Sequence, residues 1–408
     1  MKRLYYVLTA LIISAYSMFG YTILEDFNDF LVDENQLTIR LDRFGVLAGT
    51  ENLRFMIGVE GESAGVLVDN LTSGIKGGIS VFYPAPIAGI AYKAESFGIG
   101  LGYQFKYVTS TWQAHTPIIT ATALNDNLRI NIPVTIGIGG KNTVNEGDIA
   151  VSTDIRIEYY TGNDIFSRIR VNLLYGMYSM KSNESRVLSV PTMGATFGFP
   201  NDTQAHSIGI DVRGYFIAST DPILIEPQIR IVYKASIKDF EGPSYSIMGR
   251  TGSSGFGYYQ VDATSPIGGL GSLNSASMNV PLDGGTATVT IGDVDYYITK
   301  PQYMSLSVPV GFTAENDIIT LYLEPALSFS MLTGGINAGI ASSKPVRIPP
   351  VFYSLGYLVY GELYITPMPN LEWYFEAQIG GATTVDGIGN SADNGLVFNG
   401  STGITWRF

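Results

Sequence analysis

Phe97-Gly98-Ile99-Gly100-Leu101-Gly102-Tyr103-Gln104-Phe105-Lys106-Tyr107 repeats with a period of two. Phe97, Ile99, Leu101, Tyr103, Phe105 and Tyr107 share one face. Gly98, Gly100, Gly102, Gln104 and Lys106 share the other. An apolar face opposed to a small or polar one at this period marks a strand, not a helix. The alternation returns at once: Leu128, Ile130, Ile132, Val134, Ile136 and Ile138 oppose Arg129, Asn131, Pro133, Thr135, Gly137 and Gly139. Val151, Ile155, Ile157 and Tyr159 oppose Ser152, Asp154, Arg156 and Glu158. Ile169, Val171, Leu173 and Tyr175 oppose Arg168, Arg170 and Asn172. Further segments of the kind lie at 206–217, 223–234, 303–313, 318–331, 353–366, 371–380 and 396–408.

These runs exceed the usual five or six residues of a soluble strand and match the roughly 9–11 that a tilted strand needs to cross a bilayer. Composition agrees. Of 408 residues, 46% are hydrophobic and only 15% charged, with mean hydropathy +0.18. No run outside the extreme N-terminus reaches the roughly 20 apolar residues of a spanning helix, so a polytopic helical transporter is excluded. The 26 Tyr, 20 Phe and 47 Gly are too apolar a mixture for disorder. A net charge of −12 and a pI near 4.7 leave no basic stripe for nucleic acid. The absence of Cys removes disulfides, thiolate catalysis and Cys-based metal sites.

The connections alternate in length. Asn125–Asn127, Thr161–Asp164, Ser219–Pro222, Glu315–Asp317 and Thr366–Asn370 are tight turns rich in Gly, Asn, Asp and Pro. The stretches 179–205, 235–302, 332–352 and 381–395 are long. Short turns at one end and long loops at the other are the pattern of a transmembrane barrel with short periplasmic turns and long outer loops. Counting from residue 97 gives twelve strands. Candidates at 36–48, 53–60, 74–83 and 86–93 raise the expected total to sixteen, with fourteen as the alternative because 61–73 is long for a periplasmic turn. The fold class expected is therefore all-β, a single antiparallel barrel over 36–408.

The ends carry their own signals. Lys2 and Arg3 precede an apolar run from Leu4 to Ala15, and Ala15-Tyr16-Ser17 offers small residues for cleavage. A cleaved signal peptide of 1–17 is expected, with a second possible cut after Gly20 and a membrane anchor as the competing reading. Its removal takes two positive charges from −12 and leaves −14. Within 18–35, Ile23, Leu24, Phe27, Phe30 and Leu31 fall at helical spacing behind Thr22 and Glu25, a capping box. The readings are a short helix sealing the periplasmic mouth or a fraying tail. At the other end Ile404, Trp406 and Phe408 alternate to a terminal aromatic, resembling the assembly signal of outer-membrane barrels. Aromatics flank the turns as a headgroup girdle would: Tyr159, Tyr160, Phe166, Tyr215, Phe216, Phe312, Tyr364 and Trp373. Pro133, Pro227, Pro309 and Pro325 sit inside strand patterns, where each should mark a bulge or an unpaired spot.

Several stretches resemble a narrower family, the variable surface proteins of intestinal spirochaetes. They include Asn35–Gly45, His115-Thr116-Pro117, Ala123–Ile130, Asp154-Ile155-Arg156 and Tyr159–Asp164. Asn316-Asp317, Leu321–Pro325, Tyr360–Pro367, Leu371–Glu376 and Thr402–Trp406 complete the set, with 235–302 the least matched part. The resemblance implies an abundant, surface-exposed outer-membrane antigen, oligomeric and without enzymatic activity. The partners expected are outer-membrane lipid, the barrel-assembly machinery, further copies of the chain, and the host or environment through the outer loops.

The inward faces carry charge of both signs. Arg129, Arg156, Arg168, Arg170, Arg213 and Arg230 lie on the middle strands, and Glu324, Glu362, Glu372 and Glu376 on the later ones. Facing one another across a wet lumen, the two groups would set up a transverse field and tune selectivity for a porin-like passive channel. The competing reading is a ladder of interior ion pairs, Glu158 with Arg168 and Asp154 with Arg170, and Asp211, Glu226 and Glu158 dilute the segregation.

The long segment 235–302 holds Gly-rich runs but no GK[ST] motif, which excludes a phosphate loop. Its stretch Thr286–Gly292 reads as an extra strand. Asp386–Gly395 lacks the spacing of a Ca²⁺ loop and reads as a solvated connection. Neither His115 nor His206 lies near a nucleophile motif, against a His-based hydrolase. No cofactor or metal is expected. A barrel-based adhesin or an outer-membrane enzyme is the alternative function.

Overall fold

A computed structural model of the chain describes residues 29–32, 35–40, 43–61, 84–109, 112–141, 146–181, 187–190, 195–198, 203–220, 222–238, 278–279, 287–291, 294–338, 348–389 and 391–408. The expected signal peptide and the expected strand at 74–83 lie outside them. Sixteen strands form the wall. The first eight are β1 Gln36–Arg40, β2 Arg43–Gly49, β3 Leu53–Gly61, β4 Pro84–Lys93, β5 Phe97–Thr109, β6 Trp112–Ala123, β7 Leu128–Gly139 and β8 Ile149–Tyr160. The rest are β9 Phe166–Met180, β10 Thr203–Phe216, β11 Ile223–Lys238, β12 Val294–Glu315, β13 Ile319–Ala338, β14 Phe352–Met368, β15 Leu371–Asp386 and β16 Ser391–Arg407. Each pairs antiparallel with its chain neighbour, and β1 pairs with β16 (Leu37 opposite Trp406, Ile39 opposite Ile404), so the sheet closes as a sixteen-stranded barrel. Phe408 N donates to Asn35 O at 3.0 Å beside that seam.

The strand count of sixteen is reached by a different route from the one expected. The stretch 36–48 is not one strand but the β1–β2 pair, in register Gln36 with Leu47. β3 then pairs directly with β4, Gly61 opposite Pro84. The connection expected at 381–395 is also shorter: β15 runs to Asp386 and β16 begins at Ser391, with Asp386 Oδ1 accepting from Ile388 N and Gly389 at φ +101°. Within 235–302, Ala287–Ile291 is a strand as expected, pairing with Val294–Ile298 of β12.

The tight turns close through their own side chains. Asn163 Oδ1 accepts from Ile165 N and Phe166 N, both at 2.9 Å, and Asn316 Oδ1 accepts from Ile318 N and Ile319 N. Short polar side chains that bond backbone two residues on are what make Asn a turn former. The prolines leave gaps instead of bulges. The β7–β8 ladder skips Pro133 and resumes in the same register, and the β11–β12 ladder pairs Pro227 and then misses the next two positions. Proline removes the donor, and the register on either side survives because the apolar alternation fixes it.

The alternation sorts the residues as the sequence implies, but inside out relative to a soluble protein. Ile99, Leu101, Ile231, Leu306, Phe329 and Leu355 are exposed on the outer surface, while Thr120, Asn172, Asp211, Arg230, Ser307 and Ser330 are buried within. The turn-flanking aromatics divide. Tyr159, Phe312 and Trp373 stand outward, and Phe166 packs at a tilt against Phe216, 5.3 Å between ring centres, turned out by the irregularity between Tyr215 and Phe216. Tyr160, Tyr215 and Tyr364, expected in the girdle, point inward, where they meet charged side chains.

Candidate functional site

The charged residues singled out from the sequence lie on inward positions and are tied into two networks. The first spans β7–β11. Arg170, Arg213 and Arg230 stand directly opposite one another on β9, β10 and β11. Like charges in direct cross-strand register repel. Asp211, fully buried, answers this: its carboxylate accepts from Arg213 Nη2 at 2.9 Å and from Arg230 Nη2 at 2.8 Å. Arg170 Nε donates to Asn172 Oδ1, and Asn172 Nδ2 donates to Asp154 Oδ1 at 2.7 Å. Asp154 is thus reached through Asn172, whereas the sequence suggested Arg170 directly. Arg168 pairs with Glu158 at 3.0 Å, as one sequence reading had it, and lies 3.8 Å from the centre of the Tyr215 ring. Arg129 stacks on Tyr160 at 4.7 Å. These two inward tyrosines therefore hold cations by their π faces. Arg156 is buried between Asn131 and Asn172 in register.

The second network lies on β13–β15. Glu324 Oε2 accepts from Tyr322 Oη at 2.6 Å and from Gln228 Nε2 at 3.0 Å. Glu362 accepts from Tyr360 Oη, and from Tyr364 Oη at 2.9 Å. Glu376 stands directly opposite Glu362 in the ladder. Glu372 is apart from them, paired with Arg407 at 3.2 Å. Gly311 is needed here: a Cβ would meet the Tyr322 hydroxyl at 2.7 Å, so only a bare backbone lets that ring lie across β12.

Gln228 marks where the networks join, two residues from Arg230 and bonded across β12 to Glu324. The midpoints of the two sectors, β9 and β14, are five places apart in a ring of sixteen. They are not diametrically opposed, as expected from the sequence, but subtend roughly a third of the circumference and abut at β11–β13.

A third sector, β2–β6, mixes apolar or small inward residues (Leu47, Ile87, Ala91, Ile118) with buried polar ones (Gln104, Thr116, Thr120). A four-residue helix, α1 (Asp29–Val32), sits against it. Leu31 is fully buried among Leu47, Ile87, Ala91 and Ile118, with Val32 and Met56 packed beside it. Glycine makes the seat: a Cβ on Gly98 would meet Leu31 Cδ2 at 3.1 Å. Sequence reasoning put Asn172 on the polar face without a role, passed over Gln228, and placed Tyr160, Tyr215 and Tyr364 in the girdle. Their parity was the available signal, since each shares the even or odd register of a charged neighbour.

Both histidines lie outside the lumen. His115 Nδ1 meets Tyr103 Oη at 2.5 Å and His206 Nδ1 meets Tyr175 Oη at 2.9 Å, both on the lipid-side face. At the short-turn end, Lys93 bridges to Asp126 at 2.8 Å. Burial pushes the Asp126 carboxyl up, but hydrogen bonds from Lys93 and Thr122 and the charges of Lys93 and Arg129 outweigh it and hold it below the ordinary 3.8. A depressed carboxyl stabilises the fold above its unfolded value and loses that contribution as pH falls through the folded one. Asp126→Asn is therefore expected to abolish a small acid-side loss of stability below about pH 4, read as the urea midpoint against pH.

A closed antiparallel wall, an apolar exterior and a charged interior define an outer-membrane β-barrel. The chain belongs to a family of such proteins, that of the Serpulina hyodysenteriae variable surface protein, whose family model matches residues 1–407. No curated protein matches. Among solved structures, the chain is similar to OmpT, an outer membrane protein of Vibrio cholerae, at 12% identity and TM-score 0.33, covering 92% of this chain and 95% of that one. It is also similar to the outer membrane channel DcaP of Acinetobacter baumannii, at 10% identity and TM-score 0.33, covering 90% and 98%. A bacterial polysaccharide outer membrane secretin gives 9% identity and TM-score 0.43, covering 90% and 89%.

Proposed function

We propose that this barrel is a non-enzymatic surface protein whose long connections face the surroundings and whose lumen is a passive, ion-selective path. The observation that carries the path is the interior itself. Seven cationic side chains (Arg129, Arg156, Arg168, Arg170, Arg213, Arg230, Lys234) accompany four carboxylates (Asp154, Glu158, Asp211, Glu226) on β7–β11. On β13–β16 Glu324, Glu362, Glu372 and Glu376, with Asp386 and Asp393 at the far ends of β15 and β16, accompany Arg407. The first sector is net positive and the second net negative. Such separation inside a low-dielectric wall orients dipolar solutes and sets ion preference.

In planar bilayers the expected result is ohmic steps whose cation-to-anion permeability ratio falls in Glu362→Gln and rises in Arg156→Gln. Absence of any conductance would leave a closed antigen scaffold. That second reading draws on α1, which occupies part of the lumen. The surface reading is tested by protease on intact cells: cleavage within 239–293 and none at the tight turns is expected. Recognition of Ile404, Trp406 and Phe408 by the assembly machinery, and association of copies, belong to the same proposal.

A further inference from the structure

We propose that the carboxylates of β13–β15 form a binding site for an organic ammonium group. Three acids meet there on adjacent strands. Glu362 is directly opposite Glu376, and Glu324 is diagonal to Glu362, because Tyr322 is the residue opposite Glu362. Directly opposed like charges are destabilising unless something neutralises them. The hydrogen-bond partners of Glu324 and Glu362 are neutral: phenols and an amide donate to them, and among the described residues neither forms a salt bridge, Arg213 acting on Glu324 only through its field. Neutral donors orient a carboxylate but cancel none of its charge.

The second observation is an oxygen. Glu324 is 4% exposed, and among the described residues its Oε1 has no hydrogen-bond partner although Oε2 has two. A desolvated carboxylate oxygen left unpaired is costly and draws a cation or a proton. The kind of cation follows from the spacing. Among the described residues no three acids or histidines are close enough to hold a metal ion. An ammonium on a carbon chain needs only one carboxylate, its three N–H donors taking that group and neighbouring phenol oxygens, and it lies favourably on aromatic faces. Tyr322 and Tyr360 supply such faces, packed edge to face at 6.1 Å. The arrangement therefore fits a primary amine of a di- or polyamine, or of a basic peptide, better than a bare ion.

The inference rests on the lumen being accessible to solutes, but its test does not need conductance. The full chain, refolded in detergent, is titrated with 1,4-diaminobutane at pH 7 by calorimetry, and in parallel with CaCl₂ alone. Saturable diamine binding is expected, weakened roughly thirtyfold by Glu324→Gln and by Glu362→Gln, and unaffected by Glu95→Gln at an exposed turn. Every variant is first shown to keep heat-modifiable migration. Should either Gln variant fail that check, Glu376→Gln takes its place with the same expected loss. Three results would overturn the site: no diamine binding, binding that ignores these substitutions, or a carboxylic C=O infrared band at pH 7 that vanishes in the Gln variants, since a shared proton would then fill the cation's role. Saturable binding with silent bilayers would sink the channel reading alone.

Discussion

Replacing Asp211 with Ala is expected to destabilise the barrel by about 3–5 kcal/mol, the usual cost of leaving a buried charge without its partner. Asp211 is fully buried, and both Arg213 and Arg230 converge on it. Without it, three arginines in direct register on β9–β11 lose the carboxylate that separates them. Urea unfolding followed by compact-to-extended migration reads the loss as a lowered midpoint. Two comparisons isolate the cause. Glu372→Ala removes a partner from Arg407 in a pair that is 20–35% exposed, and should cost no more than about 1 kcal/mol. Adding Arg230→Met to Asp211→Ala should recover part of the loss, because an apolar side chain of similar volume removes the orphaned charge. Equal costs for Asp211→Ala and Glu372→Ala would show that water screens the lumen fully.

The second large effect is expected at Leu31. Truncation to Ala removes the side chain that fits between Leu47, Ile87, Ala91 and Ile118, and should weaken docking of α1 by about 2–5 kcal/mol. That corresponds to at least a roughly thirtyfold shift toward the undocked helix. The absence of cysteine makes the measurement clean. With Val32→Cys as the single thiol, labelling by an impermeant maleimide should accelerate about thirtyfold when Leu31 is Ala. Gly98→Val should act in the same direction by filling the seat from the wall side. Unchanged labelling in both would mean that the helix is held by something other than this apolar cluster. The same variants applied to bilayers ask whether α1 limits conductance.

Much of the wall was legible in the sequence because its physics is local. Ile130 to Ile138 face one way and Arg129 to Gly139 the other whatever their neighbours do, so period and approximate strand number follow from residue order. The departures lie where pairing partners decide. Leu37 and Leu47 read as one continuous strand, but Ile39 pairs with Phe44 on the outer face while Leu47 is buried inside, so the facing of odd and even positions swaps between β1 and β2. Tyr160, Tyr215 and Tyr364 were assigned to the membrane interface by residue type, but they turn inward because Arg129, Arg168 and Glu362 lie there. Phe166 faces lipid only through a one-residue irregularity that no single-strand pattern announces. The lumen was legible as two sets of charges and not as networks. Asp154 reaches Arg170 through Asn172, and Gln228 reaches Glu324 over the gap beside Pro309, and both depend on register between strands.

The closing seam has a consequence for the order of assembly. β1 meets β16 over only five residue pairs, from Gln36 with Arg407 to Arg40 with Gly403. Every other pair of neighbours in the wall is consecutive in chain order, whereas this contact joins positions separated by nearly the whole chain. Contacts of such long range form late, after the local hairpins that shorten the search. Until they form, β1 and β16 present bare edges, the surfaces on which strands of other chains add. A nascent sheet of this sequence therefore needs its two ends kept apart from foreign strands and brought together last, and the same five pairs are where the finished ring would first come undone.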